Sequence, residues 1–206
     1  MVYGVGVNDS PTPVQKNKKV NGKTVCVWRC TVYNRWIMML QRCYSESYQR
    51  RKPTYKGCTV CDEWLYFSNF KSWMEQQDWE GKELDKDILF KGNKVYSPDT
   101  CIFVHGTVNI FIKDNKNNRG MYPIGVTWNK SRGVFVSRVN NPITGIPEYL
   151  GSFNNPVDAH NLWKARKREL VLLLVGEGYI TDTRIVESLL DRYKNQDIGG
   201  DNSVTI

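Results

Sequence analysis

The chain has 206 residues, a formal net charge of +8 and 40% hydrophobic residues, enough to build a core without disulfide staples. No run approaches the roughly 18 apolar residues that span a bilayer, and the polar start "MVYGVGVNDSPTP" lacks the apolar centre of a secretory signal. A membrane partner is therefore not expected, and a cytoplasmic setting, with cysteines reduced or metal-bound, is.

The positive charge is uneven. It is +4 over residues 1–32, +1 over 33–112, +6 over 113–170 and −3 over 171–206, so polyanion affinity is expected in the first and third blocks. Residues 1–32 read as a basic arm: "NDSPTPVQKNKKVNGK" is turn-rich, a short β-prone run "KTVCVWRCTV" follows, and no core is evident. From Tyr33 the positions Tyr33, Trp36, Ile37, Leu40 and Tyr44 recur at helical spacing and predict an amphipathic helix over 33–44, stopped by "RRKP". After the strand-like "YKGCTVC", Asp62 is a candidate N-cap for a second helix. That helix would carry Trp64, Phe67, Phe70 or Lys71, and Trp73 or Met74 on successive turns.

"LDKDIL" and "CIFV" then flank the polar "FKGNKVYSPDT" and read as two strands joined by a turn. Helices with a packed hairpin make an α+β unit. The polar "IKDNKNNRG" at 112–120 is the best internal boundary. Beyond it "GVTWN", "VFVSRV" and "EYLGSF" give the layout of a three-stranded antiparallel meander. A helix follows, capped by Asn155, opened by Pro156 and Asp158, with Ala159, Leu162, Trp163, Arg166 and Leu170 on one face. "TDTRIVESLLDRYK" predicts a last amphipathic helix with Ile185, Leu189 and Tyr193 on one side, and the acidic end is expected to be disordered.

The order "YNRWIMMLQRCY", "YKGCTVCDEWLYFSNFKSW", "LDKDILFKGNKVYSPDTCIFVHGTVN" resembles phage-encoded HNH-type endonucleases of the homing class. The resemblance covers residues 33–112. It implies a β-hairpin and a following helix around one divalent cation, magnesium or manganese, in the cytoplasm of a phage-infected bacterial host. Carried over by position, Asp85 and Asn109 would be metal ligands, and Lys86 falls where the family has its general-base histidine. An unperturbed lysine, with a pKa of about 10.4, stays protonated near neutrality, so Asp87 or His105 would have to substitute. The plain alternative is that "LDKDIL" is an ordinary charged strand end.

Residues 120–176 are similar to the plant Apetala/ethylene-response-factor DNA-binding domain, through "GV", "FVSRV", "LGSF" and the alanine-bearing helix. That likeness implies three strands that enter the major groove of double-stranded DNA with a helix behind them. Strand alternation turns Val126, Trp128, Phe135, Ser137 and Val139 to the helix and Thr127, Asn129, Val136, Arg138 and Asn140 to DNA. Arg138 would read guanine and Asn129 or Asn140 adenine, while Lys130, Arg132 and Arg119 contact phosphates. Residues 177–206 form the remaining helix and tail.

Cys58-x-x-Cys61 has the spacing of half a zinc site that Cys43 and Cys101 could complete, with buried thiols as the alternative. The tryptophans read as core, His160 as a surface residue, and "KARKRE" as a basic run that contacts phosphate or solvent. Three functions remain open at this level: a metal-dependent DNA endonuclease, a DNA-binding descendant that has lost cleavage, and a protein-interaction module.

Overall fold

The computed structural model describes residues 1–113 and 121–194, and the chain forms two compact units, Met1–His105 and Gly106–Ile206. The division falls at the end of the expected hairpin, ahead of the 112–120 linker, so the helix after the hairpin is counted with the second unit. Most of that linker, including Arg119, and the expected acidic tail lie outside the described residues.

In the first unit the helix α1 (Thr31–Tyr44) buries Val32, Tyr33, Trp36, Met39, Leu40 and Cys43; of the expected face Tyr33, Trp36 and Leu40 are buried, while Ile37 and Tyr44 are half-buried against the core. Trp36 donates its indole N–H to the Trp64 carbonyl at 2.6 Å, so this fully buried core side chain is also satisfied as a donor. The short α2 (Glu46–Arg51) follows. Asp62 opens only a 3-10 turn, Asp62–Leu65, and the second helix, α3, starts later at Phe67–Met74 with no cap of its own. Its cap comes from far away: Asp9 accepts the Ser68 amide at 2.8 Å and the Ser68 hydroxyl at 2.5 Å, which satisfies a first-turn donor.

The beginning of the chain is thus not a loose arm. Val7 bridges to Tyr66, and Gly6 lies so close to α1 that a Cβ there would stand 2.4 Å from Leu40 and 2.9 Å from Trp36. What does project is a two-stranded ribbon, β1 (Gln15–Val20) and β2 (Lys23–Arg29). It closes on Asn21 and Gly22, both at positive φ, as a primed two-residue turn requires.

Two further strand pairs complete this unit. β3 (Thr59–Val60) runs parallel to β5 (Val95–Tyr96), and β4 (Lys82–Asp85) runs antiparallel to β6 (Ile102–His105). The expected polar turn therefore contains a strand of its own, with Tyr96 buried in the core, and "DIL" leaves the ladder after Asp85.

The second unit opens with α4 (Gly106–Ile112) and contains the expected meander, β7 (Val126–Asn129), β8 (Val134–Asn140) and β9 (Pro147–Phe153), in the order β7-β8-β9. α5 (Pro156–Gly176) packs on all three strands, and Asn155 accepts the Val157 amide at 2.8 Å as its cap. Gly125 has φ +82°, and a Cβ there would fall 2.0 Å from the Trp163 ring, so both backbone and packing demand glycine before β7. Glu148 of β9 holds Arg166 of α5 through two bonds of 2.7 and 3.0 Å, a fork that fixes helix to sheet. α6 (Thr183–Arg192), capped by Asp182, buries Ile185 and Leu189, and the Tyr193 that follows is buried with them.

Alternation holds for Val126, Ser137 and Val139, which are buried under α5, and fails at three places. Trp128 shares their face by register but packs at a tilt on Phe135, ring centroids 4.7 Å apart, and remains 43% exposed. Val136, on the open face, is only 3% exposed, because a central-strand residue is covered by its cross-strand neighbours. In β9 the register shifts by one residue, from Ser137↔Gly151 to Arg138↔Tyr149, so Leu150 is bulged. The Ser137 hydroxyl is buried without a hydrogen-bond partner. Removing such a group relieves about 1 kcal/mol of desolvation, so Ser137→Ala is expected to raise the thermal midpoint by a few degrees; a lowered midpoint would mean that the hydroxyl is satisfied.

Candidate functional site

At the end of β4 the chain turns sharply, and Asp85 makes the turn. Its Oδ1 accepts the amides of Asp87 at 2.8 Å and Ile88 at 2.6 Å. Burial, and next to it the negative charge of Asp87, push the Asp85 carboxyl above the usual carboxylate range, against the pull of the two amides. Two carboxylates so placed repel each other, and a cation between them would relieve it.

Lys86, at the expected base position, is buried with 7% exposure. Its ammonium donates to the Asn93 carbonyl at 2.8 Å and to Asp87 Oδ2 at 3.0 Å. Asn93 answers by donating its side-chain amide to the Lys86 carbonyl at 2.6 Å and the Val95 carbonyl at 2.7 Å. Lys86 is thus a strut that closes the loop 86–95, with all its charge committed, and it does not have the form of a general base. Asn93 is the residue that orders this loop, inside the stretch that reads in the sequence only as a polar turn.

His105 is paired with Lys82 at the far end of the ladder from the Asp85↔Ile102 pair. Three positions separate them, on the order of 10 Å, and an odd offset puts them on opposite faces of the pair. By this register His105 falls on the opposite face of the strand pair from Asp85. Asn109 lies in α4, in the second unit. Of the expected set, Asp85, Lys86 and Asp87 come together.

Asp85 and Asp87 are hard oxygen donors of the kind that magnesium takes, one or two carboxylates with water and substrate phosphate completing the shell. In donor chemistry they fit such an ion, with Lys86 already supplying one positive charge to Asp87. Among the described residues no three His, Cys, Asp or Glu side chains are grouped to hold a metal. Cys43, Cys58 and Cys101 are buried, Cys61 is half-buried, and all are free thiols. Burial pushes the Cys43 and Cys101 thiols up to about 12.

In the second unit the open face of the sheet presents Thr127, Arg138 and Asn140, all exposed, and Lys130 and Arg132 are exposed in the β7–β8 turn. Asn129 shapes the turn that displays the two cations: its side-chain oxygen accepts the Ser131 hydroxyl at 2.8 Å and the Arg132 amide at 3.2 Å. The bulge at Leu150 adds a residue that alternation misses: Tyr149, exposed, sits directly across from Arg138, and its hydroxyl meets that of Ser152 at 2.8 Å.

His160 is half-buried, with Nδ1 2.9 Å from the Ile124 carbonyl and its ring stacked on Trp163, and so is not the surface residue expected. The basic run "KARKRE" divides: Arg166 is paired with Glu148 and Glu169, and Lys167 is buried with its ammonium 2.6 Å from the Phe111 carbonyl. Among the described residues no helix is long and apolar enough to cross a membrane. Compared with known proteins, the chain matches no family model, no curated protein and no solved structure.

Proposed function

We propose that this protein acts on double-stranded DNA, binding it through the open face of β7–β9 and cutting it as an HNH-like, metal-dependent endonuclease at the Asp85 turn. The observation that carries the reading is the two-sided sheet. α5 closes one face, while the other displays Arg138, Asn140, Thr127 and Tyr149 with Lys130 and Arg132 at its rim. An antiparallel sheet with one solvated, basic face suits entry into the major groove, where arginine reads guanine by two bonds and asparagine reads adenine.

In the first unit Asp85, with Asp87 beside it, would hold magnesium or manganese, and Lys86 and Asn93 keep the loop that carries both carboxylates in place. The cation would supply charge neutralisation at the phosphate and at the leaving oxygen. A second reading, DNA binding without cleavage, is favoured by Lys86: it occupies the base position as a strut, and His105 is on the opposite face.

The experiment is a binding assay on duplexes of selected and random sequence. Arg138→Ala is expected to lower discrimination between them by about 1–3 kcal/mol, and Lys130→Ala to weaken both alike. Equal losses on both duplexes for Arg138→Ala would make Arg138 a phosphate contact. No binding of the intact protein to any duplex at low salt would overturn the reading.

A further inference from the structure

The ribbon β1–β2 is not used by either site described above. From Lys16 to Arg29 every residue is exposed, so no core element covers either side of it. A bare two-stranded hairpin is marginally stable on its own. This one is held at its base, where Val14 is buried and its carbonyl accepts the Cys30 amide at 2.9 Å, and at its tip by the Asn21-Gly22 turn. Between these points it carries Lys16, Lys18, Lys19, Lys23 and Arg29 and no Asp or Glu.

The register fixes which side chains share a face. Lys16 pairs with Trp28, Lys18 with Val25 and Val20 with Lys23, so one face holds three lysines among Val20, Val25 and Trp28. Lys16 lies over the Trp28 ring at 5.9 Å, in agreement. Lys19 pairs with Thr24 and Gln15 with Arg29 on the other face. Cations thus line both faces, and the apolar residues are mixed with them. A hairpin that lies on a bilayer needs its apolar and charged sides segregated, and this ribbon is not so divided.

We infer that the β1–β2 ribbon is a second DNA-binding element, one that lies along the major groove and sets Lys18, Lys19 and Lys23 against the phosphates that flank it. The inference rests on the DNA reading of the protein and adds to it a contact outside the sheet. Its partner follows from shape and charge. Two strands about 4.8 Å apart with their side chains fit a major groove about 12 Å wide and are too broad for a minor groove of about 6 Å. Strands of six and seven residues reach about 20 Å, about six base pairs. The exposed Trp28, 47% open, and Val25 offer apolar contact to thymine methyl groups.

The test uses the full chain and a triple variant, Lys18→Ala, Lys19→Ala and Lys23→Ala, beside Arg138→Ala. None of the three lysines is in the core, so thermal unfolding is expected to be unchanged and serves as the control for folding. Each phosphate contact contributes about 0.9 to the slope of log affinity against log salt. The triple variant should therefore flatten the slope by about 2 to 3 and bind about a hundredfold more weakly at 0.15 M salt, to every duplex alike. Dimethyl sulfate should modify guanine N7 on one flank of the site in the variant complex, where the intact protein protects it.

Arg138→Ala should leave that flank protected. Intact protein that binds duplex while the triple variant keeps its slope and protection would overturn the ribbon inference and leave the sheet reading standing. Aggregation of the triple variant with an unchanged slope would also overturn it, making the lysines guards of an open edge. Failure of the intact protein to bind duplex, or a triple variant that loses only binding to anionic vesicles or to an acidic protein, would overturn it too.

Discussion

Replacing Lys167 with methionine is expected to remove a rise in stability that the intact protein shows between pH 7 and pH 10. Lys167 is on the buried side of α5, 5% exposed. Its ammonium donates to the Phe111 carbonyl at 2.6 Å and lies over the rings of Phe111 at 3.3 Å, Tyr193 at 5.2 Å and Trp163 at 5.4 Å. Burial first, and the nearby Arg192 second, lower its pKa to about 7.

In the unfolded chain the same group titrates near 10.4. Between the two values the unfolded state binds more protons, so stability increases as pH rises from about 7 to about 10 and is least below 7. Taken alone, the depression corresponds to an upper bound of about 4–5 kcal/mol across that window. The carbonyl and the ring faces favour the cation and reduce what is observed. Lys167→Met keeps the apolar stem and drops the charge, so in urea unfolding at pH 7, 8.5 and 10 the difference between intact protein and variant should shrink as pH rises, with the variant the more stable at pH 7. A constant difference would mean that Lys167 keeps its proton throughout.

The second large effect is at the Asp85 turn. Asp85→Asn retains a side-chain oxygen to accept the Asp87 and Ile88 amides while deleting the carboxylate charge. Nicking should fall at least a hundredfold, equivalent to several kcal/mol of lost charge stabilisation, with stability little changed. Asp85→Ala should lose nicking equally and also cost about 1–3 kcal/mol of stability, because two part-buried amides lose their acceptor. DNA affinity should stay close to that of the intact protein in both, since Asp85 is part of neither the sheet face nor the β1–β2 ribbon.

Much of the second unit can be read in the sequence. Asn155-Pro156 starts α5 where capping chemistry says a helix starts, and three β-rich runs spaced by turns become β7, β8 and β9. The bulge at Leu150 escapes, because alternation has no term for an inserted residue, and with it goes Tyr149. Lys167 escapes because a basic run reads as solvated, whereas only three dimensions bring Phe111, Trp163 and Tyr193 around one of its members.

The first unit is less legible because its key contacts are long-range. The cap of α3 comes from Asp9, and Val95-Tyr96 is a strand because Thr59-Val60 lies beside it. The ribbon had local signals in Asn21-Gly22 and in the β-prone "KTVCVWRCTV" that becomes β2, but β1, polar and exposed on both faces, carries no apolar alternation to announce it. At the hairpin the sequence marks Asp85 and Lys86 only as expected site residues; that Lys86 braces the loop through Asn93 is visible only in the fold.

Whether the Asp85 turn cuts DNA is decided most directly by incubating the intact protein with supercoiled plasmid, with magnesium or manganese and again with chelator in excess. Conversion to nicked circles that requires the cation, stops with chelator and disappears in Asp85→Asn is the expected result. Plasmid that is bound, as a gel shift reports, yet stays supercoiled under every cation condition would contradict the endonuclease and leave a DNA-binding protein whose lysine strut stands where the base would be.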